Sequence, residues 1–121
     1  MQYILMLYVN EAGWPKLTPA EQEQGMAAYN AYTEALTKAN ALKATGRLQP
    51  SANATTVRVA NGKPQVLDGP YADSKEQFGG YYIIDVPDLD AALSWAVRCP
   101  GASHGTVEVR PVWAMPAGAA A

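Results

Sequence analysis

With one cysteine, Cys99, in 121 residues, the chain has no intrachain disulfide and no thiolate set for zinc or an iron–sulfur cluster. A lone thiol suits a reducing compartment. Charge is also scarce: charged residues are 17%, and 9 basic against 11 acidic side chains give a formal net charge of -2. That balance lacks the basic footprint of a phosphate-binding surface, so nucleic acid is not expected as a partner. The apolar run Tyr3 to Val9 has no basic residue before it and is too short for a signal core or a membrane span. The expectation is a soluble, cytoplasmic protein with no membrane partner. No G-x-G-x-x-G, P-loop, G-x-S-x-G or H-E-x-x-H pattern occurs, and no cofactor is expected. What is present is core: hydrophobic residues make up 49% of a chain of single-domain length.

Tyr3 to Val9 reads as a strand buried on both faces, stopped by Asn10 to Gly13. Thr18-Pro19-Ala20-Glu21 signals a helix start, with Thr18 as N-cap, Pro19 at the first helical position and Glu21 closing a capping box. Met26, Tyr29, Tyr32, Leu36, Ala39 and Leu42 recur at three to four residues, which predicts one long amphipathic helix ended by Gly46. Thr55 to Ala60 alternates with period two. Asn61-Gly62 then favours a type I′ turn into a second hairpin strand, Lys63 to Leu67. Gly79 to Val86 reads as another doubly buried strand, and Asp88 caps a helix carrying Leu89, Ala92, Leu93, Ala96 and Val97. The last strand is expected from His104 to Val112. Residues 1–113 form the single domain, with a flexible tail over 114–121.

This order and the connection rules predict a ferredoxin-like α+β fold, an antiparallel sheet with both helices on one face. The two apolar strands belong at its centre, and Thr55 to Ala60 and the last strand at its edges. Two helices cover only one sheet face. The other would show more apolar surface than a soluble monomer usually tolerates, so a two-fold homodimer is expected.

Along the last strand His104, Thr106, Glu108 and Arg110 share one parity, opposite Val107 and Val109. If the valines pack under the helices, the only histidine, an acid and an arginine line the other face, where they surround a polar cleft or are merely solvated edge charges or a dimer salt bridge. Four residues of strand span about 13 Å, so His104 and Glu108 cannot share an ion, and no metal site is expected. His104 is a candidate general acid or base if Asp68 or Glu76 orients it; the alternative is a hydrogen-bonded structural histidine. Asp68-Gly69-Pro70-Tyr71 is a rigid turn able to present a carboxylate beside the sheet. Gly79-Gly80 invites close backbone approach, of a strand or of a ligand. Cys99 reads as a buried, inert thiol.

Taken together, Tyr3-Ile4-Leu5-Met6, Thr55-Thr56-Val57-Arg58, Asp68-Gly69-Pro70-Tyr71, Lys75-Glu76 with Gly79-Gly80-Tyr81-Tyr82, Cys99-Pro100, His104-Gly105 and Glu108-Val109-Arg110-Pro111 resemble the YCII-related proteins of the DGPF type. The resemblance runs from Gln2 to about Val112. It implies a dimeric α/β barrel, related in shape to muconolactone isomerase, and a group whose members are mostly uncharacterised, some encoded beside extracytoplasmic-function sigma factors. A histidine and aspartate pair suggested for the wider group maps by motif position onto His104 and Asp68. Two functions remain open at this point. One is a small-molecule enzyme using His104 and Asp68, with Arg110, Glu108, Glu76 and Tyr81 binding the ligand. The other is a non-catalytic dimeric metabolite-binding or regulatory module using the same cleft.

Overall fold

The computed structural model describes residues 1–114. Six strands and three helices follow in chain order: β1 (Gln2–Val9), α1 (Pro19–Lys38), β2 (Leu42–Arg47), β3 (Thr55–Ala60), β4 (Lys63–Asp68), β5 (Gln77–Asp85), α2 (Leu89–Arg98), α3 (Gly101–His104) and β6 (Thr106–Pro111). Short 3-10 turns occupy Glu11–Lys16 and Ser51–Asn53. Apart from Ala114, the expected tail lies outside the described residues. No helix among the described residues is long and apolar enough to cross a membrane.

The main sheet has the order β2-β5-β1-β6 with every neighbouring pair antiparallel. Each helix therefore joins parallel strands separated by one other strand, the split βαβ arrangement of a ferredoxin-like α+β fold. As expected, β1 and β5 lie adjacent at the centre and β6 at an edge. Tyr3, Leu5 and Leu7 of β1 and Tyr82 and Ile84 of β5 are buried beneath both helices, against Tyr32 and Leu36 of α1 and Ala92 and Ala96 of α2. Val107 and Val109 of β6 pack against this core.

Two expectations for the chain before β5 fail. The first helix ends at Lys38, not at Gly46, because Asn40 takes a left-handed φ of 57°. Its N–H donates to the Thr37 carbonyl at 3.0 Å and that of Ala41 to the Leu36 carbonyl at 3.0 Å, a Schellman closure with Ala41 and Leu36 both buried. Asn40 was thus the stop signal. Gly46 instead lies within β2, where a Cβ would come within 2.9 Å of the Tyr81 ring. Consequently β2 takes the sheet edge expected for Thr55 to Ala60. The β3–β4 hairpin forms a separate two-stranded ribbon inserted between β2 and β5, turning at Asn61 and Gly62, both at positive φ.

Thr18 caps α1 with a full capping box: its hydroxyl accepts from the Glu21 N–H at 3.2 Å, and the Glu21 carboxylate accepts from the Thr18 N–H at 2.9 Å. Thr18→Ala should cost about 1 kcal/mol, measured by urea unfolding. The Thr18 backbone N–H, and secondarily its hydroxyl, hold the Glu21 carboxyl below the usual carboxylate range. A depressed folded-state pKa contributes stability that is present above the unfolded value and lost as pH falls through the folded one. The stability difference between wild type and Glu21→Gln should therefore be constant near neutrality and shrink in acid. A difference independent of pH would mean that the carboxylate charge does not support the cap.

Candidate functional site

The sheet face away from the helices is read from the register. Ile4, Met6 and Tyr8 of β1 share it with Tyr81 and Ile83 of β5 and with Thr106, Glu108 and Arg110 of β6, since directly paired residues lie on one face. The β1–β5 register shifts between Leu7 and Tyr8, skipping Gly79, so that Phe78 stands opposite Tyr8. This bulge re-aims Phe78 onto the open face. The two rings make a tilted pair with centroids 5.6 Å apart.

This aromatic pair forms one wall of an open cleft of about 910 Å³. The opposite wall is the β3 segment Thr55 to Arg58, and Pro50, Ser51, Pro70 and Tyr71 complete the rim. Its size falls in the range of small-ligand sites. A set of polar contacts holds the walls. Glu11 accepts from the Ser51 N–H at 3.2 and 3.0 Å and from the Ser51 hydroxyl, which ties the turn before β3 to the end of β1. Gln77 accepts from the Glu11 N–H at 3.0 Å and donates to the Ser74 carbonyl at 2.7 Å. On the hairpin side, the Gly69 N–H donates to the Ala54 carbonyl at 2.7 Å and the Thr56 hydroxyl to the Gly69 carbonyl at 2.8 Å. Gly69 sits at φ 106°, so the Asp68-Gly69-Pro70 turn requires glycine there. Sequence reasoning missed Glu11, Ser51 and Gln77, which are far apart in the chain and match no motif.

None of the expected site residues lines this cleft, and they do not gather at one place. Asp68, at the end of β4, lines an adjoining recess of about 210 Å³ that shares Thr56, Arg58, Pro70 and Tyr71 with the main cleft. Glu76 accepts from the Thr106 hydroxyl at 2.8 Å, opposite Tyr8 in the sheet. His104 does not belong to the last strand: it closes α3, so the strand parity begins only at Thr106. Carbonyls of Cys99 and Pro100 receive the Ala102 and Ser103 N–H groups and wind this turn, which is too short to show helical periodicity in sequence. Its imidazole Nδ1 lies 3.4 Å from the Ser103 hydroxyl. No ion pair or hydrogen bond joins His104 to Asp68 or Glu76 among the described residues. Glu108 and Arg110 pair with each other at 2.6 Å, with side-chain exposures of 41% and 68%, as partly solvated edge-strand charges do. Tyr81 covers Gly46 on the open face.

Among the described residues no group of three or more His, Cys, Asp and Glu side chains is placed to hold a metal ion. Cys99 is buried, and burial pushes its thiol pKa up, which disfavours the reactive thiolate. Burial likewise pushes Tyr29 up to about 12.

The family model of the YCII-related domain matches residues 1–116. An uncharacterized protein, R00369, of Rhizobium meliloti (strain 1021) is 36% identical over 114 residues, which are 93% of this chain and 92% of that protein. Among solved structures, 5-chloro-2-hydroxyhydroquinone dehydrochlorinase from Burkholderia phenoliruptrix AC1100, in complex with 2,5-dihydroxybenzoquinone, is similar with a TM-score of 0.54. That similarity covers 93% of this chain and 94% of the other at 16% sequence identity, a likeness of fold.

The Glu11 contacts have a measurable consequence. Glu11→Ala leaves the Ser51 N–H without its carboxylate acceptor and should cost about 1.5–3 kcal/mol, the range for hydrogen bonds to charged groups. Thermal or urea unfolding measures the loss, and amide exchange at Ser51 should accelerate before that of the β1–β5 core. An unaltered exchange rate at Ser51 would show that Glu11 does not hold the cleft wall.

Proposed function

This chain belongs to the YCII-related family, and on that premise we propose that it binds a small molecule in the cleft between the open sheet face and the β3–β4 hairpin. The observation that carries this reading is the cleft itself, about 910 Å³ with an aromatic wall and rim segments fixed by the Glu11, Gln77 and Gly69 hydrogen bonds. A rigid scaffold with a binding surface on its loops is the usual division of labour. The fold neighbour described above holds 2,5-dihydroxybenzoquinone, which supports small-molecule binding at the coarse level of the fold.

Binding is favoured over acid–base chemistry by His104 and Asp68. His104 has Ser103 as its polar neighbour, and Asp68 faces a separate recess. A reduced, buried Cys99 suits the cytoplasm.

The working form in this reading is a two-fold homodimer. Ile4, Met6, Tyr81 and Ile83 stay partly exposed on the open face, and Val57, Val59 and Val66 of the hairpin are 59%, 69% and 61% exposed. Ile4 with Ile83 and Met6 with Tyr81 are direct cross-strand neighbours, so the open face carries one apolar patch of the kind that marks an association site.

A thermal-shift screen of unbiased metabolites tests the binding reading, because a ligand of the native state raises the melting temperature by mass action. Hits should shift amide resonances of Thr55 to Arg58 and lose their effect in Phe78→Ala. Failure of every compound, or hits indifferent to Phe78→Ala, would count against the cleft. Light scattering at micromolar concentration should give twice the 12.9 kDa chain mass, with Ile83→Glu reducing it to one chain. A wild-type mass of one chain would remove the dimer.

A further inference from the structure

We infer that the ligand class of this cleft is a planar aromatic monoanion, its ring against the Tyr8–Phe78 wall and its anionic oxygens received by the Arg58 guanidinium. The inference rests on the reading of the cleft as a binding site and adds the chemistry of what enters it.

The chain has four arginines, and three are committed. Arg47 lies 4.9 Å from the Trp14 ring centroid and contacts Met26, Arg98 lies 4.2 Å from that of Trp95, and Arg110 pairs with Glu108. Among the described residues Arg58 has no hydrogen bond, ion pair or aromatic partner and is the only charged side chain lining the cleft. Asp68 shares only the adjoining recess with it and makes no ion pair with it. Glu11, tied to the rim through Ser51, has both carboxylate oxygens occupied there. A single uncompensated guanidinium beside low-polarity walls attracts one negative charge, and its planar fork matches a carboxylate or another pair of coplanar oxygens.

The walls specify the rest of the ligand. Tyr8 and Phe78 present tilted faces, and Tyr71, Pro50 and Pro70 add flat apolar surface around them. Such surfaces bury a ring through offset-stacked or edge-to-face contacts, which a puckered aliphatic ring makes poorly. Tyr71 is 82% exposed, an aromatic side chain presented to solvent at the rim.

The test crosses charge with aromaticity. Benzoate, benzamide and cyclohexanecarboxylate are titrated into the full-length protein at neutral pH, and binding is followed by amide shifts of Thr55 to Arg58 and Phe78. Benzoate should bind about tenfold more tightly than either analogue, the gain of a charge-assisted contact or of a stacked ring. Arg58→Gln should bring benzoate down to the level of benzamide, Arg58→Lys should restore part of the gap, and Phe78→Leu should abolish the advantage over cyclohexanecarboxylate. The Arg58 variants are on an exposed hairpin and should keep the wild-type melting temperature. Equal binding of benzoate and benzamide, or benzoate binding unchanged in Arg58→Gln, overturns the inference. So does failure of all three probes to bind, while a metabolite that binds the cleft in the screen above would leave the binding function standing.

Discussion

The pairing of β1 with β5 governs the rest of the molecule. These two strands carry Leu5 and Ile84, both fully buried, on one face and the partly exposed Ile4, Met6, Tyr81 and Ile83 on the other. Full burial of such side chains contributes about 1.5–3 kcal/mol each, so a one-residue slip would exchange the two faces and cannot be tolerated. The single irregularity in this ladder, the bulge at Leu7 and Tyr8, occurs where the core ends and the cleft begins. The device that terminates regular pairing also delivers Phe78 to the cleft wall.

Tyr32 couples the helices to that ladder. Its hydroxyl donates to the Trp95 carbonyl at 2.7 Å, and its ring meets those of Tyr82 and Trp95 edge-on, at centroid distances of 5.2 and 6.1 Å. One side chain of α1 therefore contacts both α2 and β5. The neighbouring Thr33 and Tyr82 hydroxyls, 2.9 Å apart, satisfy one another at the same layer. With both helices locked to one face, the other stays open, and the cleft lies between its Tyr8–Phe78 end and the β3 strand of the inserted hairpin.

A contrast runs through the polar groups. Those that build the cleft are satisfied, Glu11 by Ser51, Gln77 by Glu11 and Ser74, and Thr56 by Gly69. On the same rim Arg58 has no ion pair or aromatic partner among the described residues, and Tyr71 is exposed. Supporting groups spend their bonding capacity on holding geometry; in the reading proposed above, Arg58 and Tyr71 are the groups that meet the ligand.

The local elements were legible in the sequence wherever a short-range rule decides them. Thr18 to Glu21 encodes a helix start, Asn61-Gly62 a hairpin turn, and the unbroken apolar runs of β1 and β5 a central position in the sheet. From these the ferredoxin-like topology follows, because few connections satisfy both handedness and burial. Tertiary structure decided what short-range rules leave degenerate. Leu42 continues a helical period as well as it starts a strand, and only the Asn40 closure and pairing with β5 select the strand. Gly46 suits a helix stop as well as a place beneath Tyr81. His104 fits the strand alternation, yet the Pro100 turn places it in α3. Glu11, Ser51 and Gln77 meet only because the chain folds, and no spacing along the sequence encodes a contact between residues 40 or 66 positions apart.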